Sequence, residues 1–81
     1  MSTTYIERAD SVLGQHYGRA HTRAQARELA LAEFLRAAAA HLGRPVARGD
    51  VWPAAFYGFV VADGAEPRLL GSVPGDPFWR S

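Results

Sequence analysis

Hydrophobic positions along this chain fall into two regimes that meet at Pro45, helical spacing before it and β-type composition after it. Behind Thr4 and Glu7, which match a capping box, Ile6, Ala9, Leu13 and Tyr17 recur three and four residues apart and predict a short helix over about residues 4–17. Gly14 and Gly18 weaken its end, and a strand over residues 5–12 is the alternative, which would change the order of any sheet.

The second segment carries clearer boundaries. Thr22 with Gln25 marks a helix start, Gly43 followed by Pro45 marks its stop, and the residues between are mostly good helix formers. At 100° per residue, Ala24, Leu31, Leu35, Ala38 and Leu42 form one stripe with Phe34 at its edge, the natural core face. Ala26, Ala30, Ala37 and Ala40 form a second, smooth strip suited to a close-packed neighbour, whether another helix, a second copy or a partner.

After Pro45, β-branched, aliphatic and aromatic residues dominate. Asp63-Gly64 between 56–62 and 68–73 predicts a β-hairpin with a loop of about five residues, Pro67 standing at the loop edge. A third strand over 46–51 would help an otherwise marginal hairpin. Alternation puts Tyr57, Phe59 and Val61 on one face and Phe56, Gly58 and Val60 on the other. Both faces are apolar, so either the fold covers both or one face awaits a partner. The expectation is a single α+β domain over 1–81: a short N-terminal and a long central helix packed on a C-terminal antiparallel hairpin or small three-stranded sheet.

Composition narrows what such a domain does. A chain of 81 residues buries only about 60% of its unfolded surface, and fifteen of its hydrophobic residues are alanine, so the core is lean. Cysteine is absent, which removes thiolate metal sites, disulfides and thiol nucleophiles and fits a reducing compartment. The first residues lack the basic and apolar regions of a signal peptide, and no apolar run approaches the length of a membrane span, so a cytoplasmic location without a membrane partner is expected. His16, His21 and His41 lack metal-ligand spacing, Ser11 and Ser72 lack a nucleophile elbow, and the glycines form no phosphate loop. No catalytic residue, metal or cofactor is therefore expected. Arg48-Gly49-Asp50 reads better as a turn than as an adhesion tripeptide.

All nine cations are arginine, while lysine and asparagine are absent, a bias that GC-rich coding alone produces. Position carries more weight than identity. Arg19, His21, Arg23 and Arg27 crowd the start of the long helix, where the helix dipole disfavours cations, and the first acid within that helix is Glu28. Two readings follow: an anion receptor for a partner, or a solvated helix face helped by Glu7 and Asp10 on the neighbouring helix. Trp52, Tyr57, Phe59 and Trp79 join these cations as candidate partner-binding residues, because tryptophan, tyrosine and arginine dominate interface hot spots, although most aromatics of so small a domain belong to its core.

The favoured expectation is a non-catalytic module that binds an acidic patch on a larger protein or complex as inhibitor, adaptor or accessory subunit. Phage and mobile-element inhibitors of host defence, anti-CRISPR proteins among them, share this size class, an analogy without a motif behind it. Nucleic-acid binding through arginine on phosphates comes second, because the net charge is only +1. A homodimer or other homo-oligomeric accessory subunit of an enzyme, packed through the alanine strip, comes third.

Overall fold

The structure, a computed structural model, describes residues 3–75. Four strands and one helix follow in the order β1 (Thr3–Ser11), β2 (Gly14–Ala20), α1 (Arg23–Leu42), β3 (Ala55–Ala62) and β4 (Arg68–Pro74). The strands form one antiparallel sheet in the order β2-β1-β3-β4, so the N-terminal strand lies at its centre.

This overturns the expected architecture of two helices on a hairpin or a three-stranded sheet: the described residues hold one helix, and the segment 4–17 is a β-hairpin. Ser11 pairs with Gly14 across the two-residue loop Val12-Leu13, with Gly14 at φ 113° and the Leu13 amide donating to Ser11 Oγ at 3.0 Å. Helical spacing of Ile6, Ala9, Leu13 and Tyr17 was coincidental. The true period of two is hidden because β1 directs Tyr5, Glu7 and Ala9 to one face, with a charge at the centre of the buried side.

Helix α1 runs between the expected caps. Thr22 Oγ1 accepts from the Gln25 amide at 3.2 Å, and Gly43, at φ 69°, donates its amide to the Ala39 carbonyl. Its buried face differs from the expected stripe, because Ala26, Ala30, Leu31, Phe34 and Ala38 are buried while Ala24 is exposed. Part of the supposedly outer alanine strip thus faces the sheet. The reason lies at Gly18 of β2, over which the backbone of Ala26 and Ala30 passes so closely that no Cβ fits. Small residues on both elements bring helix and edge strand together.

The core consists of Ala9, Ala30, Leu31, Phe34, Ala38, Val51 and Phe56, with Leu13, Leu35, Val46 and Trp52 partly buried against it. The anticipated third strand over 46–51 is a loop instead. A turn closes it through the Asp50 amide on the Ala47 carbonyl (3.0 Å) and the Ala47 amide on Asp50 Oδ2 (3.2 Å), which lowers Val51 into the core. The Arg48-Gly49-Asp50 segment belongs to that turn, with Arg48 paired to Glu28 at 2.7 Å.

The β3–β4 hairpin follows its sequence pattern, with residues 63–67 between the strands and Gly64 at φ 72°. Its register shifts between Gly58 and Phe59, leaving Leu70 as an extra residue in β4. Helix α1 lies over β1 and β2, and the segment around Val51 and Trp52 completes the cover at Phe56. On the opposite face of the sheet no element packs among the described residues. Among the described residues no helix is long and apolar enough to cross a membrane.

Candidate functional site

Two successive residues of the central strand organise the two faces of the sheet. Glu7 points toward the helix and Arg8 toward the open side.

On the helix side, Glu7 is completely buried between Gly18 of β2 and Gly58 of β3, which stand opposite it in register. Its Oε1 accepts from Arg23 Nε at 2.9 Å and lies 3.7 Å from an Arg27 nitrogen. The Arg27 guanidinium also sits 5.0 Å from the centroid of Phe56. The first turn of α1 holds no acid of its own, so the sheet supplies one, and Glu7 offsets the unfavourable placement of two cations at a helix N-terminus. Gly58 is part of this arrangement, since a Cβ there would meet the Arg23 guanidinium. Glu7 Oε2 has no hydrogen-bond partner among the described residues. With two arginines on one carboxylate, the cluster is an internal ion triad beneath a shallow cleft of about 420 Å³.

On the open side, Arg8 is clamped flat. It forms a bidentate pair with Asp10 at 2.8 and 3.1 Å, and its guanidinium carbon lies 4.5 Å from the Tyr57 centroid and 5.7 Å from that of Phe59. Slight burial opposes its charge, but hydrogen bonds and attraction from Asp10 and Tyr17 outweigh this and hold the guanidinium above the ordinary arginine range. Tyr17 is half exposed and donates to Gln15 at 3.2 Å. Beside this cluster, Ile6, Arg8, Tyr17, Arg19, Phe59 and Pro67 line a cleft of about 440 Å³, mostly apolar. Arg19 is exposed and has no ion-pair partner among the described residues.

The expected partner-binding residues are therefore dispersed. Arg19, Tyr57 and Phe59 meet on the open face. Arg23 and Arg27 stand on the opposite side of the sheet, turned to Glu7, and do not continue a row with Arg19, which belongs to a strand. His21 is exposed in the bend before the helix. Trp52 packs edge-on against Phe56 at 6.1 Å, next to the core. Trp79, with Phe78, lies outside the described residues. Ile6, Arg8 and Tyr17 of the open face are not among the partner-binding candidates read from the sequence, where Ile6 and Tyr17 count as helix-stripe positions. A strand reading of 5–12 places Ile6 and Arg8 on one face, and that alternation was the available signal.

Searches against protein-family models, curated proteins and solved structures found no match to the chain.

Proposed function

We propose that this protein is a non-catalytic binding module that docks the open face of its sheet on a partner protein, as inhibitor, adaptor or accessory subunit. The observation that carries this reading is the cluster of Arg8, Tyr17, Tyr57 and Phe59 on the sheet face over which no element packs among the described residues. Side chains already held in place lose little conformational freedom on binding, and tyrosine and arginine are the residues on which interface energy concentrates. The cleft beside Phe59 suits an apolar side chain of the partner, and Arg19 at its rim suits a carboxylate.

A nucleic-acid reading is less favoured by the same geometry. The Arg8 guanidinium lies over the Tyr57 ring that a base would need for stacking, and Asp10 neutralises Arg8. Arg19 alone adds little toward phosphate.

Affinity capture from the native host with the wild-type chain, Phe59→Ala, Arg19→Glu and a helix control, Ala32→Gln, tests the proposal. The expected result is a partner held by wild type and control and lost at least tenfold with Phe59→Ala, since truncating a central aromatic anchor costs about 2 kcal/mol. Arg19→Glu is expected to weaken capture by a smaller factor. Equal retention of the partner by wild type and both open-face variants, with unchanged circular dichroism, overturns the reading, as does tight salt-dependent binding to single-stranded nucleic acid by the purified chain.

A further inference from the structure

The two edges of the sheet are built differently. β4 is guarded: Pro67 precedes it, Pro74 ends it, and the bulge at Leu70 with Gly71 at φ 150° breaks its regularity. β2 has none of these devices. Its seven residues pair with β1 without a shift and contain no proline, and its outer backbone groups have no partner strand among the described residues.

Above this unguarded edge lies the flank of α1. The helix returns over β2, with Leu29 beside Gly18 and Phe34 edge-on to His16 at 6.1 Å. Leu29, Glu33, Arg36 and Ala40 follow one another at spacings of four, three and four residues and form one row on that flank. Leu29 is half exposed, and the Glu33 and Arg36 side chains, 47% and 75% exposed, pair with each other within the helix at 3.1 Å, so across the axis they would join a four-charge cluster of alternating sign. Read from its N-terminal end the row is apolar, acid, base, apolar. Read backwards it is apolar, base, acid, apolar.

We infer that the β2 edge is a dimerisation site occupied by a second copy of this chain. A two-fold axis perpendicular to the sheet near His16 pairs β2 antiparallel with its own copy and continues the sheet to eight strands. The same axis passes close to Phe34, so the two helices run antiparallel side by side. Glu33 of each copy then meets Arg36 of the other, and Leu29 meets Ala40. Within β2 this register sets Gln15 against Tyr17, Gly14 against Gly18 and His16 against His16 of the second copy, a pair that carries no like charge while both rings are neutral. A parallel pairing of the two strands would instead stack Arg19 on Arg19. The self-complementary charge row is the feature that selects a second copy over an unrelated strand. With the axis perpendicular to the sheet, both open faces point the same way, so the docking surface is doubled into one continuous platform.

The full-length chain at tens of micromolar, in low salt, tests this by light scattering. The expected mass is 17.6 kDa, twice the 8.8 kDa of one chain. Glu33→Arg and Arg36→Glu each place two like-charged pairs across the axis and are expected to raise the dimer dissociation constant at least tenfold. Mixed in equal amounts, the two variants restore opposite charges at both pairs, and the mass returns to that of a dimer. Both positions are exposed, and circular dichroism of each variant checks that the fold is kept. A wild-type mass of one chain at 100 µM overturns the inference, and so does a wild-type dimer that neither variant weakens. Because Phe59→Ala lies on β3, away from the β2 edge, loss of the dimer and loss of partner capture are separable results.

Discussion

Gly18→Ala is expected to cost about 3 kcal/mol or more, an unusually large effect for the addition of one methyl group. Gly18 does not occupy the left-handed region, so alanine suits its backbone, and by reducing the freedom of the unfolded chain the change would by itself stabilise by about 0.4–1 kcal/mol. The sign is reversed by what the new Cβ meets. It would collide with the carbonyl oxygen of Ala26 and the amide nitrogen of Ala30 and lie 2.7 Å from Leu29 Cβ. Two of these three atoms are helix backbone, which cannot turn aside, so the helix must lift from the edge strand. Lifting it opens the contacts of Ala30 and Phe34, which form much of the core.

A domain of this size has roughly 0.05–0.15 kcal/mol of stability per residue, so the loss is a large share of the total. Urea unfolding followed by circular dichroism should show the midpoint falling by about 3 M or more, taking a slope of about 1 kcal/mol per M for a small domain. Gly58→Ala is the internal comparison. Its Cβ meets the end of the Arg23 side chain, which can swing into solvent at the expense of one charge-assisted hydrogen bond, so the expected cost is only about 1 kcal/mol. Equal effects at the two glycines would refute the close approach of α1 to β2.

The contrast between these glycines also marks where the sequence was legible. Boundaries of α1 were readable because Thr22 and Gly43 act locally, through one hydrogen bond and one left-handed residue. The β3–β4 hairpin was readable for the same kind of reason, two apolar β-rich runs around Asp63-Gly64. Its alternation placed Tyr57 and Phe59 on one face, where they are found. The helix face was misjudged because leucine was weighed above alanine, whereas a glycine on the facing strand makes alanine the residue that fits. Nothing within the helix announces Gly18.

The N-terminal hairpin was obscured by Glu7. A central strand with one covered face normally shows apolar residues at alternate positions, and here the middle inward position is a carboxylate. The same residue explains the misplaced arginines. In the sequence Arg23 and Arg27 stand out as a violation of the helix dipole, and Glu7 is a candidate neighbour for them, but on an adjacent helix and beside Asp10. In the structure Asp10 faces the other side with Arg8, and Glu7 alone meets the two cations. A local anomaly pointed to an anion without saying that the fold supplies it.

Glu7→Ala is expected to cost about 3 kcal/mol, and Glu7→Met about 1 kcal/mol or less. Removing a buried carboxylate takes from Arg23 and Arg27 the one anion they pair with among the described residues and leaves a void between two glycines that have no side chains to fill it. Both arginines are about 40% exposed, so water recovers part of the lost interaction and the penalty stays at the lower end for a broken buried pair. Methionine keeps the volume and removes Oε2, which is buried without a hydrogen-bond partner among the described residues. The arginines then turn outward into water. Stability is thus expected to depend on filling the slot more than on the charge, while the charge fixes position: a one-residue slip of β1 would bring Ile6 or Arg8 under the helix in place of Glu7. Urea midpoints of the two variants measure the first claim. For the second, hydrogen exchange of the β1 amides should be faster in Glu7→Met than in wild type at equal global stability. A methionine variant as unstable as the alanine variant would show that the ion triad itself, and not the packing of the slot, holds the helix to the sheet.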